Sequence, residues 1–409
     1  MHFIAKTDKM KQVERTFYLQ QLLQWRSKHV IKIITGVRRC GKSTLMQQFQ
    51  NLLREDKQSD KQIIAINFED LEFEQLKDYK ELYRYITARL RPEVMNYVFL
   101  DEIQQVDEFQ KAIDSLFLKE NVDIYITGSN ANLLSGEIST LLSGRYIEIE
   151  VLPFSLKEYH VATNTSRDGL YRSYIASSSF PYAFNLTNGT DLHQYLQGIY
   201  STVILKDIMQ RNSIQSSDLL ERVIHYLADN IGNSTSLNGI SDTLSSSGRK
   251  NSPHTIESCV NGLLNSYMFY SVSRYDIHGK ENLRVGNKYY IVDIGLRNYL
   301  LGMRPNDFGH ILENVVFLEL RRRGNHVFIG KVGKQEVDFV CLNGGNTTYY
   351  QVALTTKEES TLERELAPLE AIRDNFPKYL LTLDPDPVSN KNGIIKINAL
   401  DWLMENRLL

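Results

Sequence analysis

The run Gly36-Val37-Arg38-Arg39-Cys40-Gly41-Lys42-Ser43-Thr44 fits the pattern G-x-x-x-x-G-K-[ST], whose residue types suit a phosphate cradle. Gly36 and Gly41 permit turns closed to other residues, so successive N–H groups point inward at phosphate oxygens. A helix beginning near Lys42 adds the positive end of its dipole. Lys42 would set its ammonium between β- and γ-phosphates, the Ser43 hydroxyl would ligate Mg²⁺, and Thr44 would contact the α-phosphate. The competing explanation is a chance glycine turn. A strand-like run before the loop (VIKIIT) and an amphipathic helix after it count against chance.

A second chemical signal is YVFLDEIQQV. Four apolar residues end in Asp101 and Glu102, which places both carboxylates at the carboxyl edge of a strand, where open parallel sheets bind ligands. Asp101 would hold the magnesium through water, and Glu102 is placed to accept a proton from the attacking water. A complete strand intervenes between the loop strand and the Asp101 strand, and Glu102 directly follows Asp101. Both features fit enzymes that hydrolyse ATP with their own glutamate, rather than kinases or GTPases. The strand VDIYIT leads into Ser129 and Asn130 at the same edge. Asn130 is the better candidate for sensing the γ-phosphate, while Ser129 could equally cap a helix over Asn132–Leu142.

The elements that position these residues read as follows. Val30–Thr35, Gln62–Asn67, Asn96–Asp101 and Val122–Thr127 are continuous apolar runs separated by helix-compatible stretches, the signature of a parallel sheet covered on both faces. Arg145–Val151 alternates with period two and predicts a fifth, more exposed strand. Residues 1–153 form this first unit, and 154–216 turn helical as a lid or connector. Residues 217–304 offer three helices (Leu219–Asn230, Ser236–Ser247, Thr255–Asn265) and a hairpin (Met268–Arg274, Lys288–Val292), the pattern of a winged helix. From 309 to 409 a helix at Ile311–Arg323 and strands near 326, 336, 348 and 379 make a small α/β unit.

A length of 409 residues exceeds one core, and ~150 residues per domain gives two or three domains. With 42% hydrophobic and 23% charged residues and a net charge of -2, the chain has an ordinary globular composition and no bulk attraction for polyanions. Three dispersed cysteines argue against a disulfide framework or a cysteine zinc site. No signal peptide and no run of ~20 apolar residues is present, so the expected address is the cytoplasm, with no membrane partner.

With these residues identified, the chain resembles a bacterial and archaeal family of AAA ATP-binding proteins along nearly its whole length. The resemblance is carried by ERTFYLQQLLQW, GVRRCGKST, INFEDLE, LDEIQQV, TGSNANLLS, GRYIEIEVLPFSLKEY, ENVVFLELRRRG and GKQEVDF. It implies a P-loop AAA-type parallel sheet, then a winged helix and an α/β endonuclease-like domain, with ATP and Mg²⁺ as ligands. It also implies kinship with origin-recognition and signal-transducing ATPases. Arg145 follows the sensor strand where AAA ATPases carry an arginine finger for a neighbouring subunit, which implies a homo-oligomer; otherwise it is a solvated charge. Endonuclease-like folds place an acid on a helix, an Asp on one strand and E/Q-x-K on the next, and Glu313, Asp338 and Gln351 occupy those positions. Ala353 stands where the lysine belongs, which favours a degenerate site; Lys331 or Lys334 are candidate substitutes. Arg321-Arg322-Arg323 with Lys331 and Lys334, or Arg249, Lys250, Arg274 and Lys280 in the winged helix, could meet DNA phosphates. For the three arginines the alternative is simple placement of cations at a helix C-terminus. The expected function is an ATP-driven conformational switch, self-associating or acting on nucleic acid. The alternatives are a nucleotide-gated nuclease and a slow-turnover signalling scaffold with protein partners only.

Overall fold

Strands β1 (Ile31–Thr35), β2 (Ile63–Asn67), β3 (Asn96–Asp101), β4 (Val122–Thr127) and β5 (Tyr146–Glu150) form one sheet in the order β2-β3-β4-β1-β5. Every pairing in it is parallel. The computed structural model describes residues 13–56, 58–131, 142, 144–186, 188–205, 208–210, 214, 216–246, 252–279, 281–304 and 307–405. The helix expected over Asn132–Leu142 falls outside these residues apart from its last position, as do Arg249, Lys250 and Lys280.

The central strands are buried along their length because helices cover both faces. Alternate residues serve the two sides, as a two-residue strand period requires. Ile34, Phe99 and Tyr125 face α1 (Thr16–Trp25) and α2 (Lys42–Glu55). Ile33, Val98 and Ile126 face α3 (Tyr79–Thr87) and α4 (Phe109–Phe117). The fifth strand sits at an edge beside β1, and of its five residues only Ile149 is buried, in keeping with its alternating sequence.

Helices α5 (Leu156–Thr163), α6 (Arg167–Ala176) and α7 (Gly189–Gly198) follow. Ser155 and Glu158 start α5 with a reciprocal capping box. Next come α8 (Ser217–Asp229), a short strand β6 (Ser234–Thr235), α9 (Leu237–Ser245) and α10 (Pro253–Asn265). The hairpin β7 (Phe269–Asp276) and β8 (Glu281–Ile291) is longer than its apolar runs, and α11 (Ile294–Leu301) was not foreseen. The chain ends with α12 (Phe308–Arg322), β9 (His326–Val332), β10 (Gln335–Asn343), β11 (Asn346–Ala353), α13 (Glu359–Glu370), β12 (Lys378–Thr382), β13 (Ser389–Lys391), β14 (Ile394–Asn398) and α14 (Ala399–Met404).

The hairpin and the last α/β unit share one nine-stranded sheet, ordered β13-β14-β12-β11-β10-β9-β7-β8-β6. The join is a parallel pairing of Arg274, Tyr275 and Asp276 with Ile329, Gly330 and Lys331. The sheet is therefore shared by the 217–304 and 309–409 segments. Helix α12 is buried on nearly every side, which its near-continuous apolar run ILENVVFLEL requires.

Candidate nucleotide site and a second polar cavity

Phosphate-loop residues link the carboxyl end of β1 to α2. Gly36 has φ +133° and Gly41 +101°, both in left-handed territory. A Cβ on Gly36 would lie 2.2 Å from the Val151 carbonyl oxygen, so glycine is required there by contact as well as by conformation. Arg39 and Glu102 adopt φ of +68° and +55° without being glycine. Such backbone costs roughly 1–2 kcal/mol per residue, and strain of this kind gathers at functional sites. The Lys42 ammonium is buried and donates to the carbonyls of Gly36 at 3.0 Å and Val37 at 3.3 Å.

The ends of β3 and β4 converge on this loop. Asp101 at the end of β3 accepts from Thr127 at 2.5 Å, and the Glu102 N–H donates to the same Thr127 hydroxyl at 2.8 Å. The Glu102 carboxylate lies 3.9 Å from the Lys42 ammonium and accepts from Ser129 at 3.2 Å and from Gln104. Burial pushes the Asp101 carboxyl above the usual carboxylate range, and hydrogen bonds from Thr127 and Ser43 oppose that rise. Ser43 and Asp101 thus touch, and a hydroxyl beside a carboxylate is a donor pair of the hard-oxygen type that Mg²⁺ takes. Asn130 is buried at the same edge.

A cleft of about 460 Å³ opens over these groups. Arg15, Arg38, Lys42 and Ser43 line it together with Phe154, Tyr182 and Phe184. The Tyr195 hydroxyl is buried there with no hydrogen-bond partner among the described residues. Arg145 stands apart: its carbonyl accepts from Ile31 N at 2.8 Å, at the amino end of β1, while the loop follows the carboxyl end. Its guanidinium pairs with Asp114 and lies 5.6 Å from the centre of the Phe117 ring.

Glu313, Asp338 and Gln351 also come together, around a cavity of about 680 Å³. A lysine does reach them, but neither Lys331 nor Lys334, which are exposed: it is Lys288, from the hairpin. Its ammonium lies 3.0 Å from Glu313 and 2.9 Å from Glu336. Tyr290 donates to Glu313 at 2.6 Å, and Gln351 donates to Glu365 at 2.9 Å. Burial and the neighbouring Glu313 carboxylate push Asp338 well above the usual range. Among the described residues no three His, Cys, Asp or Glu side chains are gathered closely enough to hold a metal ion.

Arg322 and Arg323 are buried, Arg321 is half-buried, and all three are held by internal partners. Arg321 pairs with Glu150, Arg322 donates to Tyr18 and Pro153, and Arg323 donates to Glu319 and Trp402. Helix-end placement is correct for Arg321 and Arg322, which close α12, but internal ion pairs take their charge.

Comparison with known proteins fits this geometry. Residues 28–160 match the AAA domain, and 168–307 match a domain of unknown function. The chain is 38% identical over 399 residues to an uncharacterized protein of Haemophilus influenzae, covering 96% of this chain and 99% of that one. It belongs to that family of AAA-domain proteins. An uncharacterized protein of Methanocaldococcus jannaschii is 30% identical over 361 residues, covering 84% of this chain and 79% of that one. Among solved structures, a Walker-type ATPase of Pyrococcus abyssi aligns at 17% identity with a TM-score of 0.48, over 73% of this chain and 99% of that one. No helix among the described residues is long and apolar enough to cross a membrane.

Several site residues of this AAA-domain protein escaped the motif reading. Thr127 bridges Asp101 and Glu102, and its signal was available: it is the first polar residue at the carboxyl edge of the strand beside β3. Arg15 left no signal, because its partners, Cys40, Leu152 and Glu158, are distant in sequence. Lys288 was equally hidden, since only the shared sheet brings the hairpin to Glu313.

Proposed function

We propose that this protein binds ATP in the 36–44 loop, hydrolyses it, and uses the nucleotide state as a conformational switch. The observation that carries the reading is the convergence of Lys42 and Ser129 on the Glu102 carboxylate, with Asp101 held beside them by Thr127. Phosphates enter where Lys42 now spans two loop carbonyls. The base and ribose lie toward Phe154, Tyr182 and the partnerless Tyr195 hydroxyl. Ser43 and Asp101 would hold Mg²⁺, which draws charge from the phosphate oxygens when bound. Glu102 takes the proton of the attacking water, and Ser129 and Asn130 orient it.

Arg145 is the residue assigned to a neighbouring subunit's site. Its position at the far end of the sheet, partly exposed and ion-paired with Asp114, supports a role outside its own cleft. We read 154–216 as the lid, 217–304 as a winged helix and 309–409 as an endonuclease-like unit. In that last unit Glu313 is engaged by Lys288 and Tyr290 of the hairpin, so a metal would first have to break a buried ion pair; this favours a scaffold over a nuclease. DNA is the partner that the winged-helix reading admits, and the test is direct. Phosphate release from ATP by the full chain should exceed that of Glu102→Gln, and light scattering with ATP should report more than one subunit. No release above that of the variant, with or without duplex DNA, would overturn hydrolysis.

A further inference from the structure

Residues 148–153 are held on one side by the phosphate loop and on the other by the C-terminal unit. Thr35 donates to Glu148 at 2.6 Å, and Gly36 packs against the Val151 carbonyl. Arg15 donates to the Leu152 carbonyl at 2.7 Å and also to the Cys40 carbonyl inside the loop at 3.0 Å. From the opposite side Arg321 pairs with Glu150, and Arg322 donates to the Pro153 carbonyl at 2.9 Å. The two arginines converge on one carboxylate: Arg15 meets Glu158 at 2.7 Å and Arg322 stands 3.9 Å from it. A second link runs through Tyr18, whose hydroxyl accepts from Arg322 at 2.7 Å and from the Leu152 N–H at 3.0 Å. Arg15 and Arg322 are both almost fully buried, so these contacts are insulated from water. Arg322 closes α12, and Glu313, on the same helix, lines the second cavity. Nine residues at 1.5 Å each separate them by roughly 14 Å of continuous helix.

We propose that Arg15 is a positioning residue of the phosphate loop, and that Glu158 and Arg322 make its grip on Cys40 depend on the C-terminal unit. The inference rests on the reading of the 36–44 loop as the nucleotide site. Cys40 precedes Gly41, and in the trans peptide between them the Cys40 carbonyl must point away from the phosphates for the Gly41 N–H to point toward them. Arg15 holds that carbonyl on the outer side. Glu158 fixes the arginine, and Arg322, carried by α12, sits against Glu158. A filled loop that tightens this chain restrains the end of α12. By reciprocity, loosening α12 weakens nucleotide binding by the same factor.

The experiment uses the full chain and MgADP as probe. Arg15→Ala should weaken MgADP by roughly tenfold or more, the scale of one charge-assisted hydrogen bond. Arg322→Ala, which touches no part of the cleft, should also weaken it, with KM for ATP rising and kcat little changed. The double variant should be no weaker than the weaker single one, because both act on one path. Arg322→Lys should recover part of the loss. In the wild type, MgADP should slow amide exchange at the end of α12, a readout independent of whether any variant folds. The inference falls if Arg322→Ala is folded and binds MgADP as the wild type does, if the two effects add, or if exchange in α12 ignores MgADP. Failure of the underlying reading looks different: the wild type would not bind MgADP, or Lys42→Ala would bind it equally well.

Discussion

Glu102→Gln changes one group, removes one charge, and should have two separable effects. The side chains are nearly isosteric, and Gln suits the left-handed backbone at φ +55° no worse than Glu, so the fold should persist. Its amide oxygen can still accept from Ser129, at 3.2 Å in the wild type. What disappears is the base. General-base contributions run ~10²–10⁴-fold, or about 2.7–5.4 kcal/mol at 1.36 kcal/mol per tenfold. Binding should move the other way. Lys42 stands 3.9 Å from the carboxylate and must turn from it to meet a γ-phosphate. At that separation the attraction is about 4 kcal/mol at an effective dielectric of 20, most of it offset by desolvation of the pair. A residue of ~1 kcal/mol would tighten MgATP about fivefold. Phosphate release and calorimetry on the same preparation check both numbers. A variant that turns over at the wild-type rate refutes Glu102 as the base, and one that loses affinity refutes the antagonism between Glu102 and Lys42.

Three further outcomes are expected. Gly36→Ala should abolish nucleotide binding and cost about 2–6 kcal/mol of stability by denaturant titration, since left-handed strain and overpacking each cost ~1–3 kcal/mol and the added Cβ meets a carbonyl at 2.2 Å. Arg145→Ala should be inactive, yet regain activity when mixed with Glu102→Gln, and wild-type specific activity should rise with protein concentration. Glu158→Gln should lose roughly 2–3 kcal/mol at pH 7, the range for hydrogen bonds to charged groups. Burial alone would raise the Glu158 carboxyl, but Arg15 and Arg322 hold it below the usual range. A lowered folded-state value gives stability that is complete above the unfolded value near ~4.3 and lost as pH falls through the folded one. The gap between variant and wild type, by thermal or urea unfolding, should therefore close below about pH 4.

The parallel sheet was legible because its strands are continuous apolar runs that end in polar chemistry at one edge, and β3 and β4 match their predicted bounds to the residue. The loop and Asp101–Glu102 were legible for the same reason: each is a local string with a required context. The second cavity was only half legible. Its acids lie on elements with clear periodicity, whereas Lys288 reaches it through a parallel pairing of β7 with β9 that no local pattern encodes. Arg321–Arg323 misled in the other direction, because a basic run at a helix end looks solvated until Glu150, Glu319 and Tyr18 are placed around it. The strands β13 and β14 and helix α14 are short and carry mixed residues, too brief for a period to emerge.

The claim at the centre is that residues 36–44 hold the phosphates of ATP, and calorimetric titration of the wild type and Lys42→Ala with MgATP tests it most directly. Lys42 is a cation of the loop that is buried and bonded to two loop carbonyls. The expected result is saturable binding by the wild type and none by a Lys42→Ala protein that unfolds at a similar denaturant concentration. Equal affinity in the two proteins would contradict it.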